Sequence, residues 1–371
     1  MDNKQNDFFT VAIIAGILLA FSALDLLTGI GVLHWESATP SLPRPPYAAG
    51  SMLDGTFFEA YEKHANDNFY NKTKWTKTVR DVEYFLGKRE YNGIYLGKGE
   101  TYFERHLAED YGETAVEESI SFLRGLAEKY DADVMLVPTA DVIWRGRLPL
   151  YADVFDQKNY LDKVKAQVGT KGWIDAYEAM LSHGDEPVYY ETDPHWTSLG
   201  AYYGYLTWWK HTGERLQYYY DPAGMETVTE DFVGPLVRRS GAEEKKEQIS
   251  VFAETLGKHV QVTYDDQVML EDYYRPEYLQ TDNGYGYFLG EGFGYVRIDL
   301  PYRQTKTLFV IGDSYANAMI PLVAPYYKTI YFVDLKNYQG DLERLLETYG
   351  SSEKCDVLVL SGVTGYLDLF R

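Results

Sequence analysis

Two short strings carry the residue types that acyl chemistry needs. Residues 307–316 read TLFVIGDSYA, an apolar run followed by Gly312, Asp313, Ser314 and Tyr315. A buried strand, a tight turn and a helix start would bring the Ser314 hydroxyl to the carboxyl end of the strand, where the unpaired N–H groups of a first helical turn can stabilise an oxyanion. Gly312 permits the turn. Residues 189–203 read YYETDPHWTSLGAYY, with Asp193 and His195 on either side of Pro194. On one loop the carboxylate can orient the imidazole, and the imidazole can take a proton from a serine. Each string alone also has a plainer reading. A Ser or Asp at a helix start is first an N-cap, and Thr192 or Asp193 could cap a helix while His195 packs beside Trp196. As metal ligands Asp193 and His195 need further donors; His183 and Asp185 are near in sequence, but no metal is assigned.

The elements that must position these residues are legible as apolar runs. Residues 134–137, 308–311, 330–333 and 357–360 are short, continuous and apolar, and the helical patterns at 114–130 and 341–349 precede two of them. Such strands indicate a parallel sheet buried on both faces, a doubly wound α/β domain with a central parallel sheet. Residues 52–75 also carry helical spacing. Residues 284–295, GYGYFLGEGFGY, read as a Gly-rich hairpin or loop, and the charged run at 243–247 as a solvated loop tip.

At 371 residues the chain can hold two average domains or one large one, and 45% hydrophobic with 25% charged residues is ordinary globular usage. The net charge of −21 repels polyanions, so nucleic acid is excluded as a main partner and a neutral glycan is favoured over an acidic one. The single Cys355 allows no intramolecular disulfide. The 35 tyrosines fit either half-buried packing or a surface that stacks on sugar rings. Residues 8–24, FFTVAIIAGILLAFSAL, carry no charge, and the apolar character resumes after Asp25. At about 1.5 Å per residue, a helix over 8–33 spans a hydrocarbon core. The expected order is a cytoplasmic tail at 1–7, one transmembrane anchor at 8–33, a Pro-rich linker at 34–50 and an exported domain at 51–371, at the cell membrane with the domain outside.

Together the strings TDPHWTSLGAYYGY and GDSYANAMIPLVAPYY resemble the DHHW family and the alginate O-acetylation proteins of the SGNH hydrolase-like acyltransferase class. Further blocks keep the same order at residues 92–97, 232–236, 287–290 and 333–335, so the resemblance covers roughly residues 50–365. It implies an SGNH hydrolase-like fold and a triad of Asp193, His195 and Ser314. It also implies acetyl transfer through a serine ester to an exported polysaccharide, for which a cellulose-like chain fits the charge. Backbone N–H groups of Ser314 and Gly290 are the candidate oxyanion donors, and Trp196 and Tyr315 the candidate substrate contacts. No diffusible cofactor is implied. A multi-spanning membrane O-acyltransferase is the expected partner that supplies acetyl. An esterase, with water as acceptor, and a non-catalytic glycan-binding subunit are the alternatives. Two departures stand out: Pro194 occupies the position of the first His of D-H-H-W, and residues 290–292 read Gly-Glu-Gly where the family often has Gly-Gly-Asn.

The anchor reading makes a direct prediction. Mass spectrometry of protein extracted from membranes should recover peptides from residues 8–33, whereas a mature start near Ala23 would mark a cleaved signal peptide.

Overall fold

The computed structural model describes residues 45–46, 49–67, 72–242, 244–351 and 354–371, with only 15–16, 19–20 and 23 before them. The anchor expected at 8–33 and most of the linker at 34–50 therefore lie outside the described residues. Among those described, no helix is long and apolar enough to cross a membrane. The chain divides into two compact units, residues 1–88 and 89–371. In the first, helices Ala49–Leu53, Thr56–Asp67 and Lys72–Phe85 replace the helical stretch expected at 52–75, and Phe57 stacks on Tyr61 with ring centroids 5.9 Å apart.

The second unit opens with strands β1 (Glu90–Tyr91), β2 (Ile94–Leu96) and β3 (Tyr102–Glu104), a small antiparallel sheet. β4 (Asp133–Val137) follows, then the antiparallel pair β5 (Met225–Phe232) and β6 (Glu247–Phe252). The remaining strands are β7 (Gln261–Tyr264), β8 (Val268–Leu270), β9 (Tyr295–Asp299), β10 (Thr307–Gly312), β11 (Thr329–Asp334) and β12 (Cys355–Gly362). Seven strands form the main sheet in the order β4-β12-β10-β11-β9-β7-β8. The four apolar strands read from the sequence are its parallel part. The expected central parallel sheet is present and goes further than expected, because β9, β7 and β8 extend it antiparallel. β7 and β9 are mixed in polarity and β8 has only three residues, so none gave a continuous apolar signal.

Alternation along each parallel strand divides the core into two layers. Met135, Val137, Leu308, Val310, Leu358 and Leu360 pack on one face, under helices Ala176–Ser182, Ser198–Thr212 and Tyr315–Val323. Val134, Leu136, Phe309, Ile311, Val357 and Val359 pack on the other, under Glu113–Tyr130, Gln157–Val168 and Val363–Leu367. Much of the tyrosine excess is interior: Tyr189, Tyr202, Tyr205, Tyr264 and Tyr327 are fully buried.

The connections fix where a site can form. After β10 the chain crosses to β11 on one side; after β11 it returns past β10 to β12 on the other. The carboxyl end of β10 is thus the point where strand order reverses, the usual crevice of an open α/β sheet. Gly312 ends that strand. A Cβ built on it would lie 1.7 Å from the Leu360 carbonyl oxygen, so only glycine allows β12 to pair so closely here. Gly312→Ala should therefore cost about 1–3 kcal/mol or more by overpacking, read as a lowered melting temperature.

Candidate active site

Ser314 follows β10 after one intervening residue, Asp313, and precedes helix Tyr315–Val323, with helical φ/ψ of −58° and −15°. Its side chain does not cap the helix. Asp313 takes the Tyr315 N–H on Oδ1 (2.9 Å), and its Oδ2 accepts from the Ser361 hydroxyl (2.6 Å) and the Gly362 N–H (2.9 Å). The N-cap reading thus belongs to Asp313, and the Ser314 hydroxyl is left for another partner.

That partner is His195. Its Nε2 lies 2.6 Å from Ser314 Oγ, although 119 positions separate the two residues. Its Nδ1 lies 2.6 Å from Asp193 Oδ1, which also accepts the His195 backbone N–H at 2.9 Å. Asp193 is only 2% exposed. A buried carboxylate can only accept, so Nδ1 carries the proton, Nε2 is the acceptor, and Ser314 donates to it. The imidazole is also clamped on its face: the Tyr285 ring stacks on it at 3.9 Å and 6°. Asp193, His195 and Ser314 converge at the carboxyl end of β10.

The loop carrying Asp193 is held from several sides. Glu247 accepts the backbone N–H of Glu191 and Thr192 (2.7 and 2.8 Å) and the Thr192 hydroxyl. The Thr192 hydroxyl in turn accepts the Gly234 N–H at 2.9 Å. Glu247 was expected on a solvated loop tip; instead it begins β6 and is largely enclosed, and burial pushes its carboxyl above the usual range. Thr197 caps the helix that follows, accepting from Gly200 N–H at 3.2 Å.

Residues 102–333, more than half of the chain, match the family model described as DHHW protein. The chain belongs to the DHHW family. Among solved structures, a DHHW family protein from Eubacterium siraeum is similar at TM-score 0.59 and 21% identity, over 75% of this chain and 93% of that one. Bacillus cereus PatB1 is similar at TM-score 0.58 and 17% identity, over 75% and 98%. A structure of PatB1 with a sulfonyl adduct gives 0.57 and 18%, over 73% and 97%. No curated protein matches the chain.

In this DHHW chain the backbone at Pro194 helps to hold the site, a role that does not depend on the side chain at that position. Its carbonyl accepts the Tyr315 hydroxyl at 2.5 Å, while Trp196 Nε1 donates to the Tyr315 carbonyl at 2.9 Å. These two bonds tie the histidine loop to the serine helix. They also revise the expected substrate contacts. Trp196 is fully buried and reaches no cleft that holds Ser314, so it positions the loop. Tyr315 borders one such cleft, but its hydroxyl is already committed to Pro194. His183, weighed as a metal ligand, bonds Glu186 at 2.7 Å and stacks on Tyr203 at 3.5 Å. Among the described residues no group of three or more metal-ligating side chains forms.

The oxyanion donors need a second correction. Gly290 lines the site, but its N–H already donates to the Gly286 carbonyl at 2.9 Å. It is not a free donor. Its carbonyl instead accepts Asn317 Nδ2 at 3.3 Å. Asn317 lies one helical turn beyond Ser314 and borders the same cleft, and its amide has one Nδ2 hydrogen besides the one given to Gly290. Ser-x-x-Asn spacing on the helix was the available signal for it.

Ser314 and His195 lie at the junction of two clefts. One, about 510 Å³, runs along the Gly-rich loop past Tyr285, Gly290 and Asn317. The other, about 390 Å³, runs past His106, Asp141 and Arg239. Lys336 borders both. Asp141 sits deep in the second, and burial raises its carboxyl above the ordinary range despite the Thr139 hydroxyl and the nearby His106. A raised acid in the folded state contributes stability that is full below the unfolded value near 4 and is lost as pH rises through the folded value. Asparagine does not titrate. Asp141→Asn should therefore melt higher than the parent at pH 7, with the gap closing as pH falls towards 4 in a series of thermal melts.

Proposed function

We propose that this chain is an extracytoplasmic O-acetyltransferase that carries acetyl on Ser314 and passes it to hydroxyl groups of an exported, neutral polysaccharide. The observation that carries the reading is the hydrogen-bond chain from Asp193 through His195 to Ser314. As Ser314 Oγ attacks the acetyl carbonyl carbon, its proton passes to His195 Nε2. The tetrahedral intermediate collapses, the bond to the donor breaks, and the leaving group takes that proton. An acceptor hydroxyl then gives its proton to Nε2 as its oxygen attacks the serine ester. Collapse of this second intermediate releases the acetylated product and returns the proton to Ser314.

Asp193 holds the tautomer throughout and stabilises the imidazolium that forms twice. The Ser314 N–H and Asn317 Nδ2 are the donors proposed for the oxyanion. Membership of the family and the apolar run at 8–33 support a membrane-held domain. They also support a multi-spanning O-acyltransferase partner that supplies acetyl from the cytoplasmic side. The net charge of −21 supports a neutral acceptor, such as a cellulose-like chain, over an anionic one.

Two reagents test the serine. An activated chromogenic acetyl ester should be turned over by the parent, slowed about 10²–10⁴-fold by His195→Ala, and left at background by Ser314→Ala. A sulfonyl fluoride, chosen because PatB1 has a structure with a sulfonyl adduct, should add a single group to the parent mass and none to Ser314→Ala. Equal ester turnover in parent and Ser314→Ala would remove the enzyme reading and favour the glycan-binding one.

A further inference from the structure

The second cleft at Ser314 contains a polar group that the triad does not use. Asp141 follows β4 on the short helix Ala140–Ile143, at the same carboxyl end of the parallel strands as Ser314, and is only 3% exposed. Its Oδ1 accepts the Thr139 hydroxyl. The direction of that bond is set, because Gln157 Nε2 donates to Thr139 Oγ1 and Gln157 Oε1 accepts the Thr139 N–H at 3.1 Å. Asp141 Oδ2 is buried with no hydrogen-bond partner. Unmet buried acceptors are uncommon, and this one belongs to a residue that lines the cleft of the candidate nucleophile.

Charge narrows what could meet it. Five carboxyl groups line the cleft against two cations, Arg239 and Lys336, and Arg239 is itself paired with Glu104. Another carboxylate would be repelled there and would offer Asp141 no hydrogen. A hydroxyl or an ammonium group supplies one.

We propose that this cleft is the acceptor subsite, in which Asp141 Oδ2 takes a hydrogen from a hydroxyl or ammonium group of a sugar that bears no carboxylate. The proposal rests on the acyl-transfer reading of Ser314, to which it adds the class of acceptor and the residue that selects it. Bound there, the sugar would present a neighbouring hydroxyl to His195 Nε2, which borders the same cleft.

Direct binding tests this without requiring ester chemistry. The full chain carrying Ser314→Ala is titrated calorimetrically with cellotetraose, a glucosamine tetramer and tetragalacturonate. Cellotetraose or the glucosamine tetramer should bind, with tetragalacturonate at least tenfold weaker; the first two arms separate hydroxyl from ammonium recognition. Added Asp141→Ala should weaken the binding sugar at least tenfold. Asp141→Asn keeps the shape and the Thr139 bond but replaces the Oδ2 acceptor with an N–H donor, so it should weaken the glucosamine tetramer as much and cellotetraose less. Because it removes a buried charge, that variant also guards against misfolding of the alanine one. Unchanged affinity in both variants, tightest binding of tetragalacturonate, or no binding of any tetramer overturns the proposal. Asp141-dependent binding without serine labelling would retire the acyl-transfer reading and leave a sugar-binding cleft.

Discussion

A proton can pass between His195 and Ser314 only if two loops from distant parts of the chain meet within a few tenths of an ångström, and the crossed pair of hydrogen bonds through Tyr315 sets that distance. Trp196 reaches the Tyr315 carbonyl, and the Tyr315 hydroxyl reaches back to the Pro194 carbonyl. Both bonds are shielded by buried rings, where a hydrogen bond is stronger than in water and its loss strands a polar group. The flanking blocks serve the same end. Gly234 lies so close to Thr192 that a Cβ would sit 2.1 Å from its carbonyl oxygen, and Tyr285, from the Gly-rich segment, covers the imidazole.

Burying acids around this junction has an energetic cost. Asp313, Asp141 and Glu247 are all pushed towards the neutral form by desolvation, and each is partly offset by donors aimed at it. Asp313 and Glu247 spend both oxygens on the chain itself, and their effect is to fix backbone. Asp141 spends only one. That contrast, rather than burial, separates an acid that holds the site together from one with capacity left for a ligand.

The parallel strands were legible because burial on both faces leaves an unbroken apolar run, the helix Glu113–Tyr130 because its spacing matches a packed face, and the helix Tyr315–Val323 from the turn and serine that precede it. Asp193, His195 and Ser314 were legible as types in strings, and their convergence follows from the switch in strand order at β10. What stayed hidden depends on long-range partners. The polarity pattern of β7 to β9 does not reveal a sheet extension, a charged run does not reveal that Glu247 faces Thr192, and no local signal tells that the Gly290 N–H is spent on Gly286. Trp196, a candidate substrate contact by the resemblance, is buried in the core instead, where its Nε1 meets the Tyr315 carbonyl.

The G-D-S string joins requirements of different origin. Gly312 answers to the neighbouring strand, since any side chain there would collide with the Leu360 carbonyl; Asp313 answers to the turn, through Tyr315, Ser361 and Gly362; only Ser314 answers to chemistry. A relative that kept the scaffold without chemistry at this serine would remain under pressure to retain the glycine and the aspartate while its serine drifted. The first two letters of the string are therefore a mark of ancestry, and activity has to be read from the third together with the histidine that meets it.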